Sequence, residues 1–177
     1  MIVRPVTLSD VEAIAALHVQ SWRASYRGIL PDAFLDGPVE DERVSHWLEL
    51  MDSAGCGRVI LTAETDDGTA GFVSVAPSGE DGFDAYIEHI HVRPDLKGSG
   101  IGRRLLAEAV DKLIAMGCGS AYLLVFEGNR QAIRFYERLG GETIPFGIED
   151  MAGVSIARSR VAWRDLPALA RACRDAG

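Results

Sequence analysis

The sequence predicts a mixed α/β architecture, a sheet with helices packed on it. Three observations carry this. Apolar residues follow a helical spacing near the start, a strand-like pattern between Arg58 and Val92, and a helical one again from Gly102. Asp66-Asp67-Gly68-Thr69 is a hairpin turn between two strand-like runs. Ala121 to Phe126 is nearly all apolar, as in the middle of a covered sheet.

Each element follows from local chemistry. Ile2 to Val6 reads as a short strand. Ser9-Asp10-Val11-Glu12 fits a capping box, in which a hydroxyl and a carboxylate satisfy backbone N–H groups at a helix start. Val11, Ile14, His18 and Trp22 continue one face of that helix. Pro31 and Gly37 break the next stretch, and a second amphipathic helix runs from about Val39 to Met51. Arg58 to Glu64 and Ala70 to Ala76 are the hairpin strands. Asp84 to Val92 is another strand, ending at Pro94. Gly102 to Met116 is a helix with Leu105, Leu106, Ala109 and Leu113 on one face, closed by Gly117 and Gly119. A helix from Asn129 to Leu139 turns Ala132, Phe135, Tyr136 and Leu139 inward. Strands near Glu142 to Ile144 and Ser155 to Trp163 follow. Pro167 then opens a short helix with Leu166, Leu169, Ala170 and Cys173 on one face.

No repeat or linker interrupts the 177 residues, so residues 1–177 are expected to form a single domain. A formal net charge of −8 argues against nucleic acid as a partner, because phosphates call for a basic face. It leaves room for a local basic patch that takes a small anion. Arg4 and Pro5 interrupt any apolar leader, and no apolar run approaches the roughly 20 residues needed to cross a membrane. Cys56, Cys118 and Cys173 are odd in number and widely separated, with no CxxC pair. Neither a disulfide framework nor a metal site is expected, and the setting is read as cytoplasmic.

The chemistry concentrates in Ile87 to Leu106. A strand ends at Val92, Pro94 turns the chain, Gly98, Gly100 and Gly102 alternate, and a helix begins at once. Glycines let the backbone approach a bulky group and aim several N–H donors at one spot. A helix N-terminus adds unpaired donors and a positive dipole end, and Lys97, Arg103 and Arg104 add charge. This loop is built for a phosphate or pyrophosphate. The dinucleotide pattern GxGxxG fails at Arg103, and no Walker loop exists.

The segment resembles the GCN5-related N-acetyltransferases (GNAT). Their signature strand and loop are matched by Ile90-His91-Val92-Arg93-Pro94 and by Lys97-Gly98-Ser99-Gly100-Ile101-Gly102, with Lys97 where Arg or Gln is usual. A second family block is matched by Asn129, Ala132, Tyr136 and Gly140. Gly141 stands where Phe is usual. The resemblance implies a mostly antiparallel sheet of about six or seven strands, with a splayed pair that holds CoA. It implies acetyl-CoA as donor, CoA as product and an amine as acceptor. The pyrophosphate would lie on the amides of Lys97, Gly98, Ser99, Gly100, Ile101, Gly102 and Arg103. Backbone groups of Ile90, His91 and Val92 would pair with the pantetheine arm, in the manner of an added strand.

Asn129 would contact the cofactor, or simply cap its helix. Tyr136 would act as the acid toward the departing thiolate, or be plain core. Glu88 and His89 are the candidate bases. A family bulge in their strand leaves their facing undecided. Arg130, Arg134 and Arg138 form a stripe at i, i+4, i+8 that would meet cofactor phosphate, with Arg134 the assigned contact, or would merely face solvent. Trp22 and Tyr26, with charge from Asp84 and Glu88, would face a small-molecule or peptide amine, or only pin their helix to the core. The family's frequent pairing makes a homodimer conceivable, through the last helix. Besides an acetyltransferase, a non-catalytic acyl-CoA-binding or regulatory module fits the same residues, as does a partner-binding α/β domain with an incidental glycine loop.

Overall fold

The computed structural model describes residues 1–52 and 57–175. Seven strands form one sheet: β1 (Ile2–Pro5), β2 (Val59–Thr65), β3 (Gly68–Pro77), β4 (Ala85–Val92), β5 (Ala121–Phe126), β6 (Glu142–Met151) and β7 (Val154–Trp163). Their order is β1-β2-β3-β4-β5-β7-β6, and only the β4–β5 pair is parallel. The helices are α1 (Val11–Tyr26), the single turn α2 (Asp32–Leu35), α3 (Glu40–Asp52), α4 (Ile101–Ala115), α5 (Arg130–Arg138) and α6 (Leu166–Asp175). The expected mixed, mostly antiparallel sheet flanked by helices is what forms.

Period decides which side chains meet. On α4, Leu105, Leu106, Ala109 and Leu113 are fully buried against Val73, Val75 and Ile87 of the sheet and Leu169 of α6. Truncating any of these leucines to Ala would cost about 2–5 kcal/mol. On the other face, α1 and α3 bury Ile14 and Trp47 over Ile60 and Phe72. α5 lies on the α4 side, where Tyr136 meets Trp163 edge-on with ring centroids 6.0 Å apart.

Two local expectations are corrected. The reciprocal cap sits two residues earlier, with the Thr7 N–H and hydroxyl both donating to the Asp10 carboxylate at 2.7 and 2.8 Å. Arg4 binds the same carboxylate through two N–H groups, an attraction that Ser9 and Glu12 do not have. β6 runs on to Met151 rather than stopping near Ile144. Its residues are mostly exposed, so it carries no burial period, and pairing with β7 defines it. Gly141 also finds its reason here. A Cβ there would lie 2.5 Å from Val161 and 3.0 Å from Trp163, so Trp163 fills the space.

The feature that opens a site is the β4–β5 junction. Only Ala85↔Ala121 and Tyr86↔Tyr122 pair before the two strands part. β4 pairs Ile87 with Val75 and His89 with Ser74 of β3, so Glu88 is an extra residue in a bulge. A bulge bends its strand and sharpens the local twist, which accompanies the parting of β4 from β5.

Candidate active site

The parted strands form one wall of a groove of about 600 Å³, a volume suited to a small-molecule ligand. At one end lies the glycine loop. Gly98 and Gly100 adopt φ of +85° and +88°, a backbone region that glycine enters without steric cost. The first α4 amide to bond back is that of Arg104, onto the Gly100 carbonyl at 3.1 Å. Among the described residues, the N–H groups of Gly98, Gly100, Ile101, Gly102 and Arg103 have no protein acceptor. They form a donor cluster at a helix N-terminus, where an anion is favoured. Lys97 is tethered to the end of α1 through a 2.9 Å hydrogen bond to the Ser25 hydroxyl. Ser99 instead donates its hydroxyl to the Leu96 carbonyl at 2.6 Å.

Along the groove, Ile90, His91 and Val92 of β4 face Leu123, Leu124 and Val125 of β5. Asn129 borders it and also caps α5, its Oδ1 accepting the Ala132 N–H at 3.2 Å. Tyr136 also lines the groove. Burial, and secondarily the Tyr26 phenol, pushes its own phenol well above the ordinary value. It therefore keeps its proton, and can donate a hydrogen bond to an atom that gains negative charge in the groove.

The bulge settles the facing of the acid and imidazole groups. Glu88 lines the groove, and its carboxylate pairs with Arg58, which also donates to the Ser74 hydroxyl at 3.2 Å. His89 turns toward α3, its Nε2 3.1 Å from His46 Nε2, and is not among the groove-lining residues. His91 does line the groove, with Nδ1 2.9 Å from the Ser21 hydroxyl. Burial and the nearby Lys97 push its pKa down to about 3.

The chain's other three histidines thus gather around His18, whose ring centroid is 4.6 Å from that of His91, 5.0 Å from that of His89 and 6.4 Å from that of His46. His18, His89 and His91 offer ring nitrogens within 4.8 Å of one another, the minimum for a metal site. The hydrogen bonding argues otherwise. The Trp47 indole N–H donates to His18 Nδ1 at 3.2 Å, which leaves the ring proton on Nε2. A ligating Nε2 needs a lone pair there, with Nδ1 as the donor. As arranged, the cluster is a packed aromatic core.

Tyr26 lines the groove and meets Phe126 edge-on at 5.2 Å. Trp22 stands behind it, 5.5 Å away and outside the lining, with Arg43 over its ring at 5.0 Å. Asp84 is at the closed end of the β4–β5 pair, not at the acceptor side. Its carboxylate accepts from the Gly119 N–H at 2.9 Å and the Ser120 N–H at 3.0 Å. On α5, Arg138 lines the groove, whereas Arg130 and Arg134 are exposed and are not among its lining residues. Ser21 and Arg58 were not singled out as site residues by sequence. Ser21 lies one helical turn before Ser25, which also lines the groove, but neither carried a signal of its own. Arg58 had no local signal.

Cys118 and Cys173 are buried thiols raised above their ordinary pKa by burial, and neither lines the groove. Cys56 lies outside the described residues. No described helix is long and apolar enough to cross a membrane.

The comparisons with known proteins agree with this geometry. The family model "Acetyltransferase (GNAT) family" matches residues 18–141. The N-acetyltransferase YuaI of Bacillus subtilis is 30% identical over 169 residues, 94% of this chain and 95% of its own length. Among solved structures, the PaiA N-acetyltransferase of Thermoplasma acidophilum, in complex with coenzyme A, superposes with a TM-score of 0.71 at 20% identity. It covers 89% of this chain and 96% of that one. YncA of Salmonella typhimurium, solved with its cofactor acetyl-CoA, does so with a TM-score of 0.67 at 22% identity and covers 92% of each chain. An amide-lined loop at a helix start, a parted strand pair and a family match that spans both motif blocks lead to one conclusion: the chain belongs to the GNAT family of acetyltransferases and is an acyltransferase.

Proposed function

We propose that the chain transfers an acetyl group from acetyl-CoA to a primary amine by direct attack in a ternary complex. The observation that carries this reading is one groove lined by the glycine loop with its unpaired amides, by the opened strands and by Tyr136. The amides of Gly98 and of Gly100 to Arg103 take the pyrophosphate, with Lys97 and Arg103 adding charge. The backbone of Ile90, His91 and Val92 pairs with the pantetheine amides. The amine nitrogen attacks the thioester carbon, and the C–S bond breaks with its electron pair going to sulfur. The Tyr136 hydroxyl donates to that sulfur as its charge develops.

Glu88 is the better placed of the two candidate bases, because it borders the groove while His89 is packed behind it. Tyr26 forms the acceptor wall, and Trp22 holds it in place. Two buried, unpaired thiols suit a reducing, cytoplasmic setting.

The test is a panel of primary amines with acetyl-CoA, reading free thiol. The expected result is thiol release that depends on the amine, with intersecting initial-velocity lines as both substrates are varied. Tight CoA binding without turnover would replace the enzyme with a non-catalytic acyl-CoA-binding module. Parallel lines would indicate a covalent acetyl-enzyme instead of direct attack.

A further inference from the structure

On the sheet face carrying α1 and α3, those helices cover β2 to β4 and leave much of β5, β7 and β6 open beside the groove, with Phe146 exposed. The register fixes what this open face presents. Tyr86 pairs with Tyr122, and their rings are 4.9 Å apart. Further along β5, Phe126 pairs with Arg158 of β7, and the Phe126 ring meets that of Tyr26. Two ion pairs flank the opening. Glu88 is held by Arg58 on the β4 side, and Glu149 is held by Arg158 at 2.8 Å on the β7–β6 side. The phenols of Tyr26 and Tyr86 stand within electrostatic range of Glu149, and that of Tyr86 within range of Glu88 and Arg158 as well.

Arg158 is the unbalanced member. Its Nη1 donates to Glu149, but its Nε–H is buried with no acceptor among the described residues. A buried donor left unpaired costs about 1–3 kcal/mol. The Nε–Nη2 edge of a guanidinium is a two-toothed donor matched to a carboxylate. About a quarter of the Arg158 side chain is exposed, so a bound molecule can reach the guanidinium, and engaging the buried Nε–H requires the side chain to turn that edge outward. Phe126, the register partner of Arg158 on β5, meets Tyr26, and Tyr26 and Tyr136 both line the groove.

Resting on the acetyl-transfer reading, we propose that the acceptor is an amino-acid-type amine: its carboxylate docks on Arg158, and its amine is presented past Tyr26 toward Glu88 and the thioester. The carboxylate is a bystander in the chemistry. The amine loses one proton, the sulfur gains one, and the acetyl group passes from sulfur to nitrogen.

The experiment pairs each proteinogenic α-amino acid with its α-carboxamide and compares kcat/KM within each pair, using the full chain and saturating acetyl-CoA. The carboxamide keeps the same side chain and more of its amine unprotonated, so amine basicity biases the test against the proposal. The expected result is that the turned-over amino acid beats its carboxamide by about 10- to 100-fold, the worth of a charge-assisted hydrogen bond. Arg158→Gln is expected to collapse that ratio toward one. Arg158→Lys, which keeps the charge but loses the fork, is expected to restore part of it, and a melting curve checks both variants. Equal use of the pairs, or preference for carboxamides, overturns the proposal and leaves acetyl transfer standing. An unchanged ratio in folded Arg158→Gln overturns it as well. Thiol release from neither series, nor from simple amines, overturns both this proposal and the acetyl-transfer reading.

Discussion

The Trp47 indole N–H donates to His18 Nδ1 at 3.2 Å, and this bond fixes the protonation of a ring on which the chain's other three histidines converge. His18, His89 and His91 are all pushed well below the ordinary histidine value, burial being the largest cause in each. They are neutral in the folded chain and take up protons near pH 6.5 once unfolded. Their contribution to stability is therefore complete above about pH 6.5. It is lost as pH falls toward the folded-state value, about 3 for His91. Well inside that window each strongly depressed histidine contributes a slope of about 1.4 kcal/mol per pH unit. His18→Phe removes one of the three. It strands the Trp47 N–H but also removes the unpartnered His18 Nε2–H, so its cost at neutral pH is expected to stay within about 2 kcal/mol. Urea melts from pH 7 to pH 4 should show a shallower loss of stability in the variant. An unchanged slope would mean that His18 is protonated in the folded chain.

Gly100→Val should remove CoA binding while the chain still folds. The position has φ of +88°, which a β-branched residue enters only under strain of about 1–3 kcal/mol. The added side chain also stands among the unpaired amides of the loop. Calorimetry with CoA, read beside a melting curve, checks it. Unchanged affinity in a folded variant would remove the loop from the phosphate site.

Tyr136→Phe should lower kcat about 10²- to 10⁴-fold with little change in the KM for acetyl-CoA. The edge-on contact with Trp163 survives the change, so the loss would report the hydroxyl rather than packing. Wild-type kcat in the variant would make Tyr136 a core residue, with water serving the thiolate.

Much of this fold was legible because local rules acted alone. The four inward positions of α4 follow from spacing, and the glycine loop from three glycines before a helix. What was not legible depended on partners distant in sequence. Thr7 rather than Ser9 caps the first helix because Arg4 draws in the Asp10 carboxylate. β6 extends seven residues past Ile144 because β7 is there to pair with it, not because its own sequence alternates. The bulge at Glu88 left the facing of Glu88, His89 and His91 undecided in the sequence, because only the β3–β4 register locates the extra residue. The Arg58–Glu88 pair joins the residue before β2 to β4, and the Arg158–Glu149 pair joins β7 to β6; no spacing rule foretells either.

The arginine stripe of α5 shows how the structure sharpens a sequence pattern into a test. Spacing alone treats Arg130, Arg134 and Arg138 as equivalent, and like charges at that separation repel by about 0.2–0.5 kcal/mol per pair. The groove separates them. Gln131, Phe135 and Arg138 border it, while Arg130 and Arg134 are exposed and are not among its lining residues. In a chain of net charge −8, a single arginine at the groove mouth raises the local potential for an anionic cofactor. If it meets the 3′-phosphate, Arg138→Ala will weaken CoA more than dephospho-CoA, which lacks that group. Arg134→Ala will weaken both slightly or not at all. The difference should shrink at high salt, because an exposed ion contact is screened within about 8–10 Å near physiological ionic strength. Titrations of both ligands against both variants at low and high salt decide it. Equal losses for CoA and dephospho-CoA in Arg138→Ala would move the contact to the pyrophosphate, and a larger effect from Arg134 would show that α5 turns when the cofactor binds.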